Sequence, residues 1–386
     1  MLKVLPENAI YFDNASTTPV HPEVRKLVNH LLETCYVNSE SLYDEGMEIN
    51  RLMEKSRTQI ASLLHVQPWE IIFTSGASEA NNMAIKGAAF AALGKKNHIV
   101  TTKVEHSSVI NAFHQLEEVF GFKVSWLDVD EHGVVNLDQL AQCVNENTAL
   151  VSIMAVNNEV GSIMPMDKIK QIVRKQSHAL LHFDCVQALK RIDIDLSQVD
   201  LASFSAHKIE GLKGSGILVK KQHVELVPLI SGGQQEMGLR GGTANSVANI
   251  ALAKTLRLAL EDQDHYRKHT AMLNRRMREG LAQFEEIEIN SPEDGVGAIL
   301  NFSCRTIPSE VMMNALNSYN ICVSAQSTCS SKSKSPSHVL KAMGMSDKRA
   351  LSSIRCSFST RNTPEEVDRF LRDLKEILKK YGTRSI

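Results

Sequence analysis

Val199-Asp-Leu-Ala-Ser-Phe-Ser-Ala-His-Lys208-Ile-Glu-Gly-Leu-Lys-Gly-Ser-Gly-Ile-Leu-Val219 is the stretch around which the rest of the chain is organised. The apolar run from Val199 to Phe204 predicts a buried strand, and Ile217 to Val219 predicts another. Between them stand Ser205, His207 and Lys208, then Gly211, Gly214 and Gly216. Glycine admits positive φ and close backbone approach. A lysine is therefore held on a tight turn at a strand end, where α/β enzymes place their ligands. Drawn out of water there, its pKa falls, which suits imine formation. A surface lysine on a Gly-rich hairpin has the same local pattern. No Gly-Lys-Ser/Thr follows the glycines, so the turn is not a P-loop, and no Gly-x-Gly-x-x-Gly marks a dinucleotide site.

Working outward, strands and helices alternate. Strands are expected at 70–74, 98–102, 123–127, 149–156 and 179–183. Helices are expected at 22–35, about 48–64, 78–93, 107–120, 136–145 and 166–176. Such alternation predicts an α/β fold with a mostly parallel sheet covered on both faces. A long helical stretch runs from about 246 to 284 and ends near Asn290-Ser-Pro-Glu-Asp-Gly295, the best candidate boundary. Beyond it the pattern is strand 297–303, helix 308–318, strand 320–323, helix 336–343, strand 352–358 and helix 363–380. Pro364-Glu365-Glu366 after Thr363 is a good helix start. Ser324 to Ser337 is a polar run.

The chain has 386 residues, 43% of them apolar, and a formal net charge of −1. No global electrostatic pull toward nucleic acid or an anionic membrane follows. No apolar run approaches the ~18–20 residues of a membrane span, and the first residues lack a signal-peptide core. A cytoplasmic location is expected. The seven cysteines are Cys35, Cys143, Cys185, Cys304, Cys322, Cys329 and Cys356, with no Cys-x-x-Cys among them. An odd, scattered set argues against a disulfide framework and a structural zinc site.

Several strand ends carry polar residues that packing does not require. Ser75-Gly76-Ala77-Ser78-Glu79 sits at a strand-to-helix junction, a natural phosphate seat, although a plain N-cap reads the same. Glu105-His106 and Asn157-Asn158-Glu159 follow two further strands. Asp184 ends an apolar strand, with Gln187 three residues on. A buried carboxylate there is costly unless something cationic pairs with it. Together these groups face one crevice: a phosphate seat, a ring-stacking histidine, an amide, a carboxylate and a lysine. That inventory matches pyridoxal phosphate, whose ring is an electron sink held by such partners.

In these segments the chain resembles the class V aminotransferase family, and within it the cysteine desulfurases. The matching stretches are 11–19, 71–82, 105–106, 156–161, 184–187, 203–208, 240–245, 327–331 and 353–357, in the family's order over nearly the whole chain. The resemblance implies a mostly parallel seven-stranded sheet with helices on both faces, the fold type I of pyridoxal-phosphate transferases, plus a smaller α+β domain. It implies a large domain over 15–262. Residues 1–14 and 263–386 would form the small one, with a nucleophile loop at about 324–337.

The resemblance also implies roles. Lys208 would carry the cofactor, supported by His207 and Ser205. Ala77 and Ser78 would meet the phosphate, His106 stack on the ring, Asp184 pair with its nitrogen, and Asn158 and Gln187 contact its substituents. Thr243 would reach the phosphate of a neighbouring subunit, which implies a homodimer. Arg355 and Asn38 would bind substrate. Cys329 would be the nucleophile, with Lys332 and Lys334 favouring its thiolate. The implied reaction converts L-cysteine to L-alanine, leaves a persulfide on Cys329, and passes sulfur to a protein acceptor for iron–sulfur clusters or tRNA thiolation. A selenocysteine lyase, an aminotransferase or a weakly active sulfur-relay subunit are the competing readings. The chain departs from the family's pattern at Ser39, Glu40 and Tyr43, at Leu212, at Gly241, and at Gln326 and Thr328 beside the nucleophile.

Overall fold

The computed structural model describes residues 5–6, 8–325 and 335–382. Its centre is a seven-stranded sheet built from β2 (Ile71–Thr74), β3 (His98–Thr102), β4 (Lys123–Leu127), β5 (Thr148–Met154), β6 (Leu180–Asp184), β7 (Leu201–Ser205) and β8 (Gly216–Lys220). β1 is the short N-terminal strand Ile10–Tyr11. The order across the large sheet is β2-β8-β7-β6-β5-β3-β4. Every pairing is parallel except those of β8, which runs antiparallel to both β2 and β7. The expected fold class is therefore the observed one.

α1 (Pro22–Thr34) and α2 (Asp44–Leu63) precede this sheet, and the helices that cross over it are α3 (Ala77–Ala92), α4 (Ser107–Phe120), α5 (Leu137–Cys143) and α6 (Met166–Gln176). Separate apolar clusters pack on the sheet: Ile71, Phe73, Val151 and Phe204 belong to one, and Ile72, Leu150, Leu201 and Leu218 to another. Adjacent strand residues alternate between the two because successive side chains point to opposite faces. The strands read as near-continuous apolar runs for the same reason.

β4 lies outside β3, whereas β5 lies on β3's other side. The winding reverses there. Such a reversal opens a crevice at the carboxyl ends of the strands. Glu105 and His106 follow β3, and Asn158 follows β5, so the turn residues of both strands meet at this crevice.

The long helical stretch expected over 246–284 is two helices, α7 (Ser246–Glu261) and α8 (Gln263–Leu281). They break at Asp262, whose φ −95°, ψ 4° leave the helical range. Its carboxylate meets the Lys190 ammonium at 3.0 Å, which anchors the break. Periodicity alone could not show this, because both helices are rich in the same helix-forming residues.

A second sheet, ordered β12-β10-β9, is antiparallel: β9 (Ile287–Ile289), β10 (Ile299–Cys304) and β12 (Ser353–Ser357). β11 (Ile321–Cys322) pairs in parallel with β1. Around them lie α9 (Ser309–Ser318), α10 (His338–Ala342), α11 (Asp347–Leu351) and α12 (Pro364–Tyr381). The strand β9 and the one-turn helix α11 were too short to leave a periodic signal. Phe12, Phe302, Phe358 and Phe370 share one apolar cluster with α8 and α12 residues. The Phe12 and Phe358 rings stand edge-to-face at 5.3 Å. Residues near the N-terminus are thereby fixed against the C-terminal part. α12 opens with the expected capping box between Thr363 and Glu366. Among the described residues, no helix is long and apolar enough to cross a membrane.

Candidate active site

The crevice holds a cavity of about 410 Å³. Ala77, Ser78, His106, Asn158, Asp184, Gln187, Ser205, His207, Lys208 and Arg355 all line it. The fold thus gathers ten of the side chains singled out in the sequence. Asn38 and Thr243 are exposed and do not line it. Asn38 spends its side-chain oxygen on the Glu40 amide, 3.0 Å away. Thr243 borders an adjoining hollow that shares Ser75 and Gly214 with the cavity wall. Cys329 lies outside the described residues, as do Gln326, Thr328, Lys332 and Lys334.

Lys208 ends a one-turn helix, Ala206–Lys208, that follows β7 directly. Its ammonium nitrogen donates to the carbonyls of Ala15 and Ser16, both at 2.7 Å. Burial, and after it the positive charges of Arg355 and Arg191, draw its pKa from 10.5 to about 7, against the smaller opposing pull of Asp13 and Asp184. An amine so placed exchanges its proton near neutrality. His207 is drawn down to about 4, first by burial and then by Lys208 and Lys213. It is uncharged at pH 7, and its Nδ1 pairs with Thr17 Oγ1 at 3.2 Å.

Asp184 closes β6 and is 5% exposed. Its Oδ2 accepts from Asn81 at 2.8 Å and its Oδ1 from the Val186 amide at 3.0 Å. His106 caps α4 through Nδ1, which accepts the Ser108 amide at 3.1 Å. A backbone N–H only donates, so Nδ1 carries no proton and the ring is fixed in place.

The N-terminus of α3 has no side-chain cap. Its first amides are left to a ligand, at the positive end of the helix dipole. Gly76 precedes it at φ 144°, a value open to glycine. A Cβ on Gly216 would lie 2.7 Å from the Gly76 Cα, so the two glycines let strand and turn cross. Glu79 would repel an anion there. Its carboxylate instead takes the Ser75 amide at 2.8 Å and the Arg240 guanidinium at 3.1 Å.

Among the described residues, three buried polar atoms of side chains lining the cavity have no partner: Gln187 Oε1, Asn81 Oδ1 and Arg355 Nε. An orphaned buried group costs about 1–3 kcal/mol. A ligand that offers a hydroxyl and an anionic group in this cavity would satisfy the glutamine oxygen and the arginine N–H. Gln187 is otherwise held by donating to the Ala15 carbonyl at 2.9 Å. Arg355 is 2% exposed, and its fork is largely engaged: Asp13 at 2.9 Å, Ser16 Oγ at 2.7 Å and the Asn158 carbonyl at 2.8 Å. Three of its five N–H donors are thus engaged, and Nε–H and one Nη1–H are left for a substrate carboxylate.

Asp13 and Asn81 lie within the matching stretches 11–19 and 71–82, and the residue pattern assigns them no role. The structure makes Asp13 the ion-pair partner of Arg355 and Asn81 the orienter of Asp184. Residue type likewise gives Glu105 no function. It is fully buried, and burial raises its pKa to about 8. Its Oε1 takes Thr102 Oγ1 at 2.6 Å and the Met154 amide at 3.0 Å, which ties β3 to β5 at the crevice. Gly241 explains one departure from the family pattern. A Cβ there would stand 2.6 Å from the Gly232 Cα, so serine does not fit.

An amine tuned to neutrality, an oriented buried carboxylate and an uncapped helix end, gathered at a sheet switch point, define a pyridoxal-phosphate site. A family model described as "Aminotransferase class-V" matches residues 10–370, and the chain belongs to this family. A "NifS/IcsS protein homolog" of Lactobacillus delbrueckii subsp. bulgaricus is 40% identical, covering 97% of this chain and 98% of that protein. A "Cysteine desulfurase IscS" of Clostridium botulinum is 37% identical over 96% and 94% of the two chains. Among solved structures, a "NIFS-LIKE PROTEIN" superposes with TM-score 0.91 at 38% identity, covering 96% of this chain and all of that one. The cofactor of this family is pyridoxal phosphate.

Cofactor uptake by the chain tests whether Lys208 is the attachment point. Attachment needs the neutral amine, and a pKa near 7 supplies it far below the range of free lysine. The attachment rate is expected to fall about tenfold per unit of pH below pH 7 and to level off about one unit above it. Stopped-flow absorbance after mixing with pyridoxal phosphate measures this. A rate still climbing at pH 9 would contradict it.

Proposed function

We propose that the protein is a cysteine desulfurase, a pyridoxal-phosphate-dependent homodimer that converts L-cysteine to L-alanine and keeps the sulfur as a persulfide on Cys329. The observation that carries the reading is the Lys208 amine, buried on two carbonyls with its pKa near 7 inside the same cavity as Asp184. Relatives named for this activity, matched over nearly their whole length, support the choice of substrate.

Ala77, Ser78 and Ser205 would hold the phosphate, His106 and Asp184 the ring, and Gln187 and Asn158 its substituents. Bound pyridoxal phosphate supplies an electron sink for the pair left when the substrate's α-proton departs. Lys208 takes that proton at Nζ and returns it, as its near-neutral pKa allows. Arg355 orients the substrate carboxylate through Nε–H and the second Nη1–H. The Cys329 thiolate attacks the substrate sulfur. The S–S bond forms, the C–S bond breaks, and the carbon keeps the electron pair and gains a proton.

The neighbours of Cys329 support its reach. Ser324 exchanges backbone hydrogen bonds with Arg355, at 3.1 and 2.7 Å, on the cavity wall. Five residues extend at most about 17 Å. On the other flank Ser337 Oγ donates to Glu159 at 2.6 Å, and His338 pairs with the Glu105 carbonyl at 3.0 Å.

A second copy accounts for Asn38 and Thr243, which stand outside the cavity of their own chain. Leu42, Met47, Trp69 and Met237 are exposed and line one hollow near them. A cluster of exposed apolar side chains marks an interaction face. The sulfur would then pass to a protein acceptor, in the cytoplasm, for iron–sulfur clusters or tRNA thiolation.

The purified chain loaded with pyridoxal phosphate is expected to release alanine from L-cysteine with no keto acid added. Chromatographic quantitation of alanine measures it. Alanine formed only when a keto acid is supplied would favour an aminotransferase and sink the proposal.

A further inference from the structure

Two non-glycine residues with positive φ are joined to each other: Lys190 at 72° and Glu210 at 67°. Lys190 Nζ lies 3.3 Å from Glu210 Oε1, and the two side chains are 6% and 12% exposed. Lys190 follows Gln187 by three residues, and Glu210 follows Lys208 by two. Each therefore closes a turn that sets a residue of the active-site cavity. Left-handed backbone is costly for any residue with a Cβ and nearly free for glycine.

The pair is embedded on both sides. Lys190 also meets Asp262 at 3.0 Å and lies 4.6 Å over the Tyr266 ring. Glu210 also meets Arg361 at 3.5 Å. Its amide donates to Thr18 Oγ1 at 2.8 Å, and its carbonyl accepts the His21 amide at 2.8 Å. Strained conformations persist where the surroundings over-determine them, and both ends of this bridge do so.

We propose that the Lys190–Glu210 ion pair is a positioning device that holds the turns of Gln187 and Lys208 in their left-handed form, and so fixes both residues relative to one another. This rests on the reading of the cavity as the pyridoxal-phosphate site. Neither residue touches the cavity; each acts through its turn. An ordinary buried ion pair would have only a fold-stabilising role, and such pairs often contribute little net stability.

Alanine and glycine variants separate the two accounts. Lys190→Ala and Glu210→Ala remove the pair and leave a Cβ on a left-handed backbone. Lys190→Gly and Glu210→Gly remove the pair together with the reason for it. The readout is the dissociation constant of pyridoxal phosphate from the full chain, measured by absorbance titration, with thermal midpoints taken alongside. Each alanine variant is expected to bind about tenfold more weakly, the scale of one left-handed backbone penalty. Each glycine variant is expected to stay within about twofold of the unaltered chain. Glycine variants as weak as alanine variants would overturn the proposal. So would alanine variants that bind normally while melting earlier. An unaltered chain that takes up no pyridoxal phosphate would remove the reading of the cavity itself, and the proposal with it.

Discussion

Lys208→Ala is expected to lower alanine release from L-cysteine about a thousandfold or more, the scale of removing a positioned general base that also anchors the cofactor. Among the described residues, no other amine is buried in the cavity. Lys213 also lines the cavity, but its side chain is exposed to water and is not held on the carbonyls that seat Lys208. The loss is chemical and not structural. The Ala15 carbonyl keeps its bond from Gln187 when the amine is gone. Removing a desolvated ammonium also removes the cost of burying it. The variant should therefore melt no earlier than the unaltered chain, as calorimetry would show. Lys208→Arg is the control for charge and size: guanidinium stays protonated and cannot act as the base, so it should be equally inactive. A Lys208→Ala chain that retained a tenth of the native rate would refute the assignment.

Cys329→Ser is expected to fail differently. Lys208, Asp184 and the helix end are untouched, so cofactor uptake should match the native chain. Alanine release should fall roughly a hundredfold or more, because a hydroxyl is not ionised at neutral pH and does not attack sulfur as a thiolate does. Coupled measurement of cofactor absorbance and alanine separates this variant from Lys208→Ala, which loses both. The six described cysteines do not replace it. Cys35, Cys185, Cys304 and Cys356 are buried, and Cys143 and Cys322 are half-buried. Burial pushes the Cys185, Cys356, Cys143 and Cys322 thiols up, away from the reactive thiolate.

The sheet and its crevice were legible because each relies on local pattern. Continuous apolar runs such as Ile71–Phe73 mark doubly covered strands, and polar residues at the strand ends mark the site. The antiparallel β8 was hidden, since direction depends on which strand its hairpin joins, not on composition. The break at Asp262 was hidden too, because a lysine 72 positions earlier creates it. Within the site, residue types announced Lys208 and Asp184 but not their partners. That Asn81 aims Asp184, and that Asp13 already occupies the Arg355 fork, are long-range contacts. Sequence spacing carries no trace of them. The left-handed backbone at Lys190 and Glu210 was invisible for a sharper reason: glycine advertises such a conformation, and a charged residue conceals it.

The most direct test is mass analysis of the chain after brief reaction with L-cysteine. Proteolytic peptides should show a reducible gain of one sulfur atom on Cys329, with alanine formed in equal amount, and none on the other six cysteines. Alanine formed in quantity while Cys329 stays unmodified, or sulfur found on a different cysteine, would contradict the account.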